Sequence, residues 1–223
     1  MAGMSRRAWL KRMAAGGAVL ATGMAQLRRA LARGAVETGI ARVRGEVRVN
    51  GMPARVGMEV KPGDVITTGR DAELVVVVGS DAFLVRARSR VELAGDAARL
   101  LVTGLRLVTG ALLSVFEPGK PKQIRTATAT IGIRGTGIYV EMEGNRTYVC
   151  TCYGEAVLAP ADDPAAAETV RTEHHEHPRF VYPRGMPRVI EIAPVMNHSD
   201  AELSMLEALV GRVPPFEFTN TPY

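Results

Sequence analysis

"GDVITTGRDAELVVVVGSDAFLVRARSRVEL", residues 63–93, decides the fold class. Its apolar runs, 65–67, 73–78 and 83–87, are rich in Val, Ile and Thr, side chains that suit a pleated, half-buried surface. Pro62-Gly63-Asp64 precedes the first run and Gly79-Ser80-Asp81 separates the last two, each supplying a pre-set turn or a φ > 0 position. Apolar runs punctuated in this way predict strands rather than helices.

The same grammar extends outward. Further strands are expected at 41–49, 91–94, 99–102, 106–108, 111–116, 122–127, 137–143 and 147–153. Asn50-Gly51, Gly95-Asp96, Gly104, Gly110, Pro118-Gly119 and Gly144-Asn145 stand between them as turns. Aromatic residues make up only 5% of the chain, so its core must be built from Val, Leu, Ile and Ala. The expected architecture is mainly β: one all-β domain, a sandwich or short solenoid, over residues 33–160. Residues 161–223 follow as a Pro/Ala-rich loop, a His-rich segment, a short helix and an extended tail. That helix begins at Ser199 with Glu202 three residues on, a capping box, and ends at Gly211.

Two stretches resemble the FecR domain, a periplasmic module named after the iron-dicitrate sensor. Residues 43–93 carry a G-x-V start, an x-x-G-D-x-I-x-T-G turn and an apolar strand before a G/S-D turn. Residues 124–143, "IRTATATIGIRGTGIYVEME", are similar to the T-x-x-A-x-I-G-I-R-G-T pattern near the domain's end. Gly132, Arg134, Gly135 and Thr136 read as a close-packed structural turn, glycine permitting close backbone approach and arginine tying a loop. Gly137 stands where the family often carries an acid. The resemblance implies a binding or sensing module. The sensor itself has a cytoplasmic segment and a membrane span before this domain, whereas here a signal peptide is expected there, which implies a free module in the periplasm.

Residues 1–32 read as that signal. Ser5-Arg6-Arg7-Ala8-Trp9-Leu10-Lys11 resembles a twin-arginine (Tat) motif; a glycine-interrupted apolar run follows, and Ala30-Leu31-Ala32 offers small residues at peptidase spacing. The run is shorter than the ~20 residues a bilayer span requires, so the mature chain is expected to have no transmembrane segment. Six basic residues and no acid lie in this segment, so removing it takes the net charge from +5 to −1. Nucleic acid loses its electrostatic attraction as a partner; a protein or envelope partner fits better. The Tat resemblance implies export of a folded chain.

Cys150 and Cys152, the chain's 2 cysteines, lie in "TYVCTCYG". Strand alternation points both sulfurs to one face, with the Cβ vectors parallel rather than converging. All 4 histidines follow, His174, His175 and His177 in "TEHHEHPRF" and His198 in "MNHSDAE". Thiolate and imidazole suit Zn, Cu or haem iron. The candidate ligand set is Cys150, Cys152, His174 and His175, with His177 and His198 as alternates. A strained disulfide and two inert buried thiols remain as the other readings.

No G-x-S-x-G, P-loop, G-x-G-x-x-G or H-E-x-x-H pattern nominates an enzyme. The expected function is a non-enzymatic exported binding or sensing module. Its rivals are a metal- or thiol-dependent periplasmic redox protein using Cys150 and Cys152, and an envelope scaffold that binds a protein or polymer.

Overall fold

The structure, a computed structural model, describes residues 38–216, so the signal expected at 1–32 and the last seven residues lie outside it. Its strands are β1 (Gly39–Arg44), β2 (Val47–Val49), β3 (Met52–Pro53), β4 (Val65–Thr68), β5 (Glu73–Val78), β6 (Asp81–Val85), β7 (Arg90–Asp96) and β8 (Leu101–Thr109). They continue with β9 (Ala111–Val115), β10 (Pro121–Arg125), β11 (Ala129–Glu143), β12 (Arg146–Pro160), β13 (Glu168–Thr172), β14 (Arg179–Val181) and β15 (Ile190–Ile192). One α-helix follows among the described residues, α1 (Asp200–Leu209).

The fold is mainly β, as the sequence predicts. The strands are not split between two sheets or stacked in coils; they join in one sheet that curls into half a barrel, with the path β1-β5-β6-β9-β11-β10-β8-β7-β4-β2-β3 and a branch of β12 to β15 from β11. Both faces of its middle are covered. In β5, Leu74 through Val78 are all buried, because Leu74, Val76 and Val78 enter one core and Val75 and Val77 the other. A strand with two buried faces carries a continuous apolar run instead of an alternating one.

The larger core fills the concave face and draws on most strands, among them Ile66, Val91, Leu107, Phe116, Ile124, Ile131, Val149 and Leu158. The second lies on the convex face. There Val75, Val77, Leu84, Leu113, Val115, Tyr139 and Tyr148 pack beneath Leu203, Leu206 and Leu209 of α1.

Three sequence readings change. The stretch at 41–49 is two strands, broken at Gly45. Gly104 lies inside β8, and not at a turn: a Cβ there would meet the carbonyl oxygen of Gln123 at 2.9 Å, where β10 runs alongside in parallel. "IGIRGTG" is likewise strand interior. β11 pairs with β10 through Arg134 and with β9 from Gly137, and it bulges between those positions as it changes neighbour. Gly135 takes the positive φ of 58° that the bend needs, Gly132 pairs with Val157, and Arg134 is exposed. The side chain of Thr136 lies outside the described atoms.

Helix α1 starts as expected. Ser199 is the N-cap of a capping box with Glu202, whose carboxylate accepts the Ser199 N–H at 3.1 Å. It ends with Gly211 at φ 73° and the Arg212 N–H on Glu207 O.

Candidate metal centre

The hairpin β11–β12 places the cysteines. On its outer edge, β12 pairs with β14 at Thr147–Val149 and with β13 at Gly154–Leu158, which leaves a gap at 150–153. The end of β13 and the loop after it fill that gap, Thr172 Oγ1 donating to Thr151 O at 2.7 Å and the His175 N–H to Cys152 O at 3.0 Å. The His-rich segment is thereby folded back against the two thiols.

Cys150, Cys152, His175 and His198 converge on the convex face, with one donor atom from each lying within 4.8 Å of the others. His175 Nδ1 is 3.4 Å from Cys150 Sγ and 3.0 Å from His198 Nε2. For zinc bonds of about 2.3 Å to sulfur and about 2.0–2.1 Å to nitrogen, a tetrahedron puts two nitrogens about 3.3 Å apart and a nitrogen and a sulfur about 3.5 Å apart. His175 is therefore already at ligand spacing from Cys150 and from His198, and Cys152 lies within 4.8 Å of them. Their residues are 0%, 0%, 3% and 3% exposed, so the site is closed. Tyr139 stacks on the His198 ring at 4.8 Å. One ion fits among donors so spaced; a haem macrocycle does not.

The outer nitrogens assign the tautomers. His198 Nδ1 faces Met196 O at 2.7 Å, and a carbonyl only accepts, so Nδ1 carries the hydrogen. His175 Nε2 faces Asp200 Oδ1 at 3.1 Å, so its hydrogen sits there. In the neutral rings both inward nitrogens then present lone pairs across 3.0 Å, an arrangement relieved by a cation or a proton between them.

Without an ion the two thiols are unequal. Burial pushes the Cys150 pKa up, but hydrogen bonding with Cys152 and with His175 and His198, whose inward nitrogens donate only when a ring is protonated, outweighs it and holds Cys150 well below the ordinary thiol value. Burial and the neighbouring Cys150 both push Cys152 up. Burial works against charge on His175, yet Cys150 and Asp200 leave its pKa raised. Cys150, His175 and Asp200 stand in the order of nucleophile, base and orienting acid. Cys150 is fully buried, and the arrangement suits ligation.

Three of the four ligands read from sequence meet here. The fourth donor of this cluster is His198, named as an alternate, while His174 falls in a second group of possible ligands with His175 and Asp200. His174 Nε2 instead bonds Asp200 Oδ1 at 2.9 Å and its ring stacks on Phe216. His177 is exposed. The residue missed was Asp200. As the first residue of α1 it reads as a helix-dipole partner, which conceals its second use. Both cysteines are free thiols.

No family model matches the chain, and no curated protein matches it. Two crystal structures of a candidate anti-sigma factor from Parabacteroides distasonis ATCC 8503, at 1.65 and 2.50 Å resolution, are similar to it. Each shares 14% identity over 57% of this chain and 59% of that chain, with a TM-score of 0.46. The match thus spans less than two thirds of those chains.

Proposed function

We propose that the chain is an exported, non-enzymatic binding and sensing module of the cell envelope, built around a closed Cys2His2 centre that holds one zinc ion. One observation carries the metal reading: both inward histidine nitrogens are fixed as lone-pair donors by outer partners, Asp200 and Met196 O, beside two buried sulfurs. Ligating histidines characteristically donate their other N–H to a carboxylate or carbonyl. Four protein donors with no open position describe a structural zinc site, and two imidazoles with two thiolates favour zinc over an all-sulfur copper site. The periplasmic location rests on the twin-arginine resemblance. The binding role rests on the FecR resemblance and on a buried centre that suits ligation. No helix among the described residues is long and apolar enough to cross a membrane.

Elemental analysis with thiol counting, on mature protein purified without a histidine tag, tests this. We expect about one zinc per chain, lost in Cys150→Ser and His198→Ala and kept in His177→Ala. Metal-free protein with two free thiols would sink the proposal. The unequal environments of Cys150 and Cys152 favour one second reading, a thiol-dependent redox protein. Metal-free protein with a Cys150–Cys152 disulfide would overturn the zinc reading and leave the redox one standing.

A further inference from the structure

The ligands come from opposite sides of one seam. Cys150 and Cys152 belong to β12, and His175 belongs to a loop anchored at both ends by strands paired to β12. His198 is different: it lies in residues 193–212, a cap that leaves the sheet after β15 and lies across the convex face. Of the four donors it is the one the cap contributes. Asn197 before it holds a left-handed φ of 63°, and His175 one of 61°. Such backbone is uncommon for non-glycine residues, though Asn and His take it more readily than most.

What else holds the cap is a short helix with three buried leucines and a set of polar ties, among them His174 and His175 on Asp200 and Tyr148 Oη on Pro194 O. Helix α1 has 10 residues, below the roughly 12–15 at which an isolated helix becomes even marginal. Its apolar row, Leu203, Leu206 and Leu209, is accompanied by a buried carboxylate, Glu207, which is tied to Tyr153 Oη and to Arg212 Nε. Half-exposed polar ties join it to the sheet, including Arg86 to Glu202 at 2.8 Å and Arg212 to Ser80 O at 2.7 Å. The concave core needs none of this, because among the described residues its fully buried members end at Val181.

Resting on the metal reading above, we infer that the ion is a latch, pinning residues 193–212 over the convex face through His198. Removing it uncovers an apolar surface formed by Val75, Val77, Leu84, Leu113, Val115 and Tyr139 while the concave half stays folded. The two cores are then separate cooperative units, the outer one metal-gated.

Hydrogen exchange read by mass spectrometry on the mature chain, zinc-loaded and chelator-stripped, with zinc content measured in both, decides this. Stripping should speed exchange across 193–212 by about tenfold or more and leave β7 and β8 unchanged, and a hydrophobic dye should bind only the stripped form. His198→Ala should give the stripped pattern without chelator, and His177→Ala the loaded one. If zinc leaves and the cap stays protected, the latch is wrong while the metal centre stands. If stripping unfolds the concave half as well, the ion holds the whole fold and the latch is also wrong. If the starting protein binds no zinc, both readings fall together.

Discussion

Asp200 concentrates several requirements in one carboxylate. It is 1% exposed and receives His174 and His175 on the same oxygen, at 2.9 and 3.1 Å. A buried carboxylate needs such donors, since burial disfavours its charge unless hydrogen bonds compensate. In return it fixes which nitrogen of His175 faces the sulfurs. Asp200→Asn keeps the shape and an acceptor oxygen but removes the charge, so His175 keeps its place as a ligand while its orienting hydrogen bond is weakened. Zinc affinity, measured by competition with a chromophoric chelator, should fall by about 10–100-fold while stoichiometry is unchanged. Affinity equal to that of the parent would mean that Asp200 serves His174 and the helix terminus alone.

At the scale of elements, the concave half is tied by a charge pair separate from the candidate ligands, which Arg212 of the cap approaches from outside. Asp81 opens β6 and Lys122 lies on β10, with Oδ2 and Nζ 2.7 Å apart and both side chains at most 2% exposed. Lys122 also donates to Val102 O, and Asp81 Oδ1 accepts the Glu117 N–H at 2.9 Å. Burial pushes the Asp81 carboxyl up from its ordinary pKa, and Lys122 acts against that rise. Lys122→Met therefore leaves a buried carboxylate without its counter-charge and should cost about 3–5 kcal/mol in denaturant unfolding. Adding Asp81→Asn, which keeps an acceptor for Glu117, should recover most of the loss; a double variant as unstable as the single one would show that shape, not charge, holds this corner.

Glycine explains where the elements were hard to read. Turn chemistry and close approach both select it, and one sequence does not separate them. Gly137 supports a bulge in β11 where a Cβ would come within 2.4 Å of the Tyr153 ring, so what reads as a turn is a strand interior. β12 runs on to Pro160 because Ala156, Leu158 and Pro160 alternate inward, a period-2 signal overshadowed by the Ala/Pro-rich loop after it. The strands of residues 63–93, the capping box and the same-face cysteines were legible because each depends on neighbours in sequence. The choice of His198 over His174 was not, because it depends on two left-handed residues and on a carboxylate from another segment.

For the whole molecule, the proposed centre bears on the proposed export. Its ligands are drawn from a strand, a loop and the cap, so the site exists only once the sheet has closed, and two thiols crossing unfolded into an oxidising space would meet oxidant before they met each other's histidines. A route that carries a folded chain avoids this, and Ser5 to Lys11 resembles the signal for such a route. Replacing Arg6 and Arg7 with lysine preserves charge and changes only the pair, so it should leave a zinc-containing precursor in the cytoplasm, detected by fractionation and elemental analysis. Attaching a signal for unfolded export instead should deliver protein with less zinc and with its thiols oxidised. If the lysine variant is exported as well as the parent, the arginine pair is not what routes the chain. If the unfolded route yields protein with full zinc, the centre assembles after crossing, and folding before export is not what protects it.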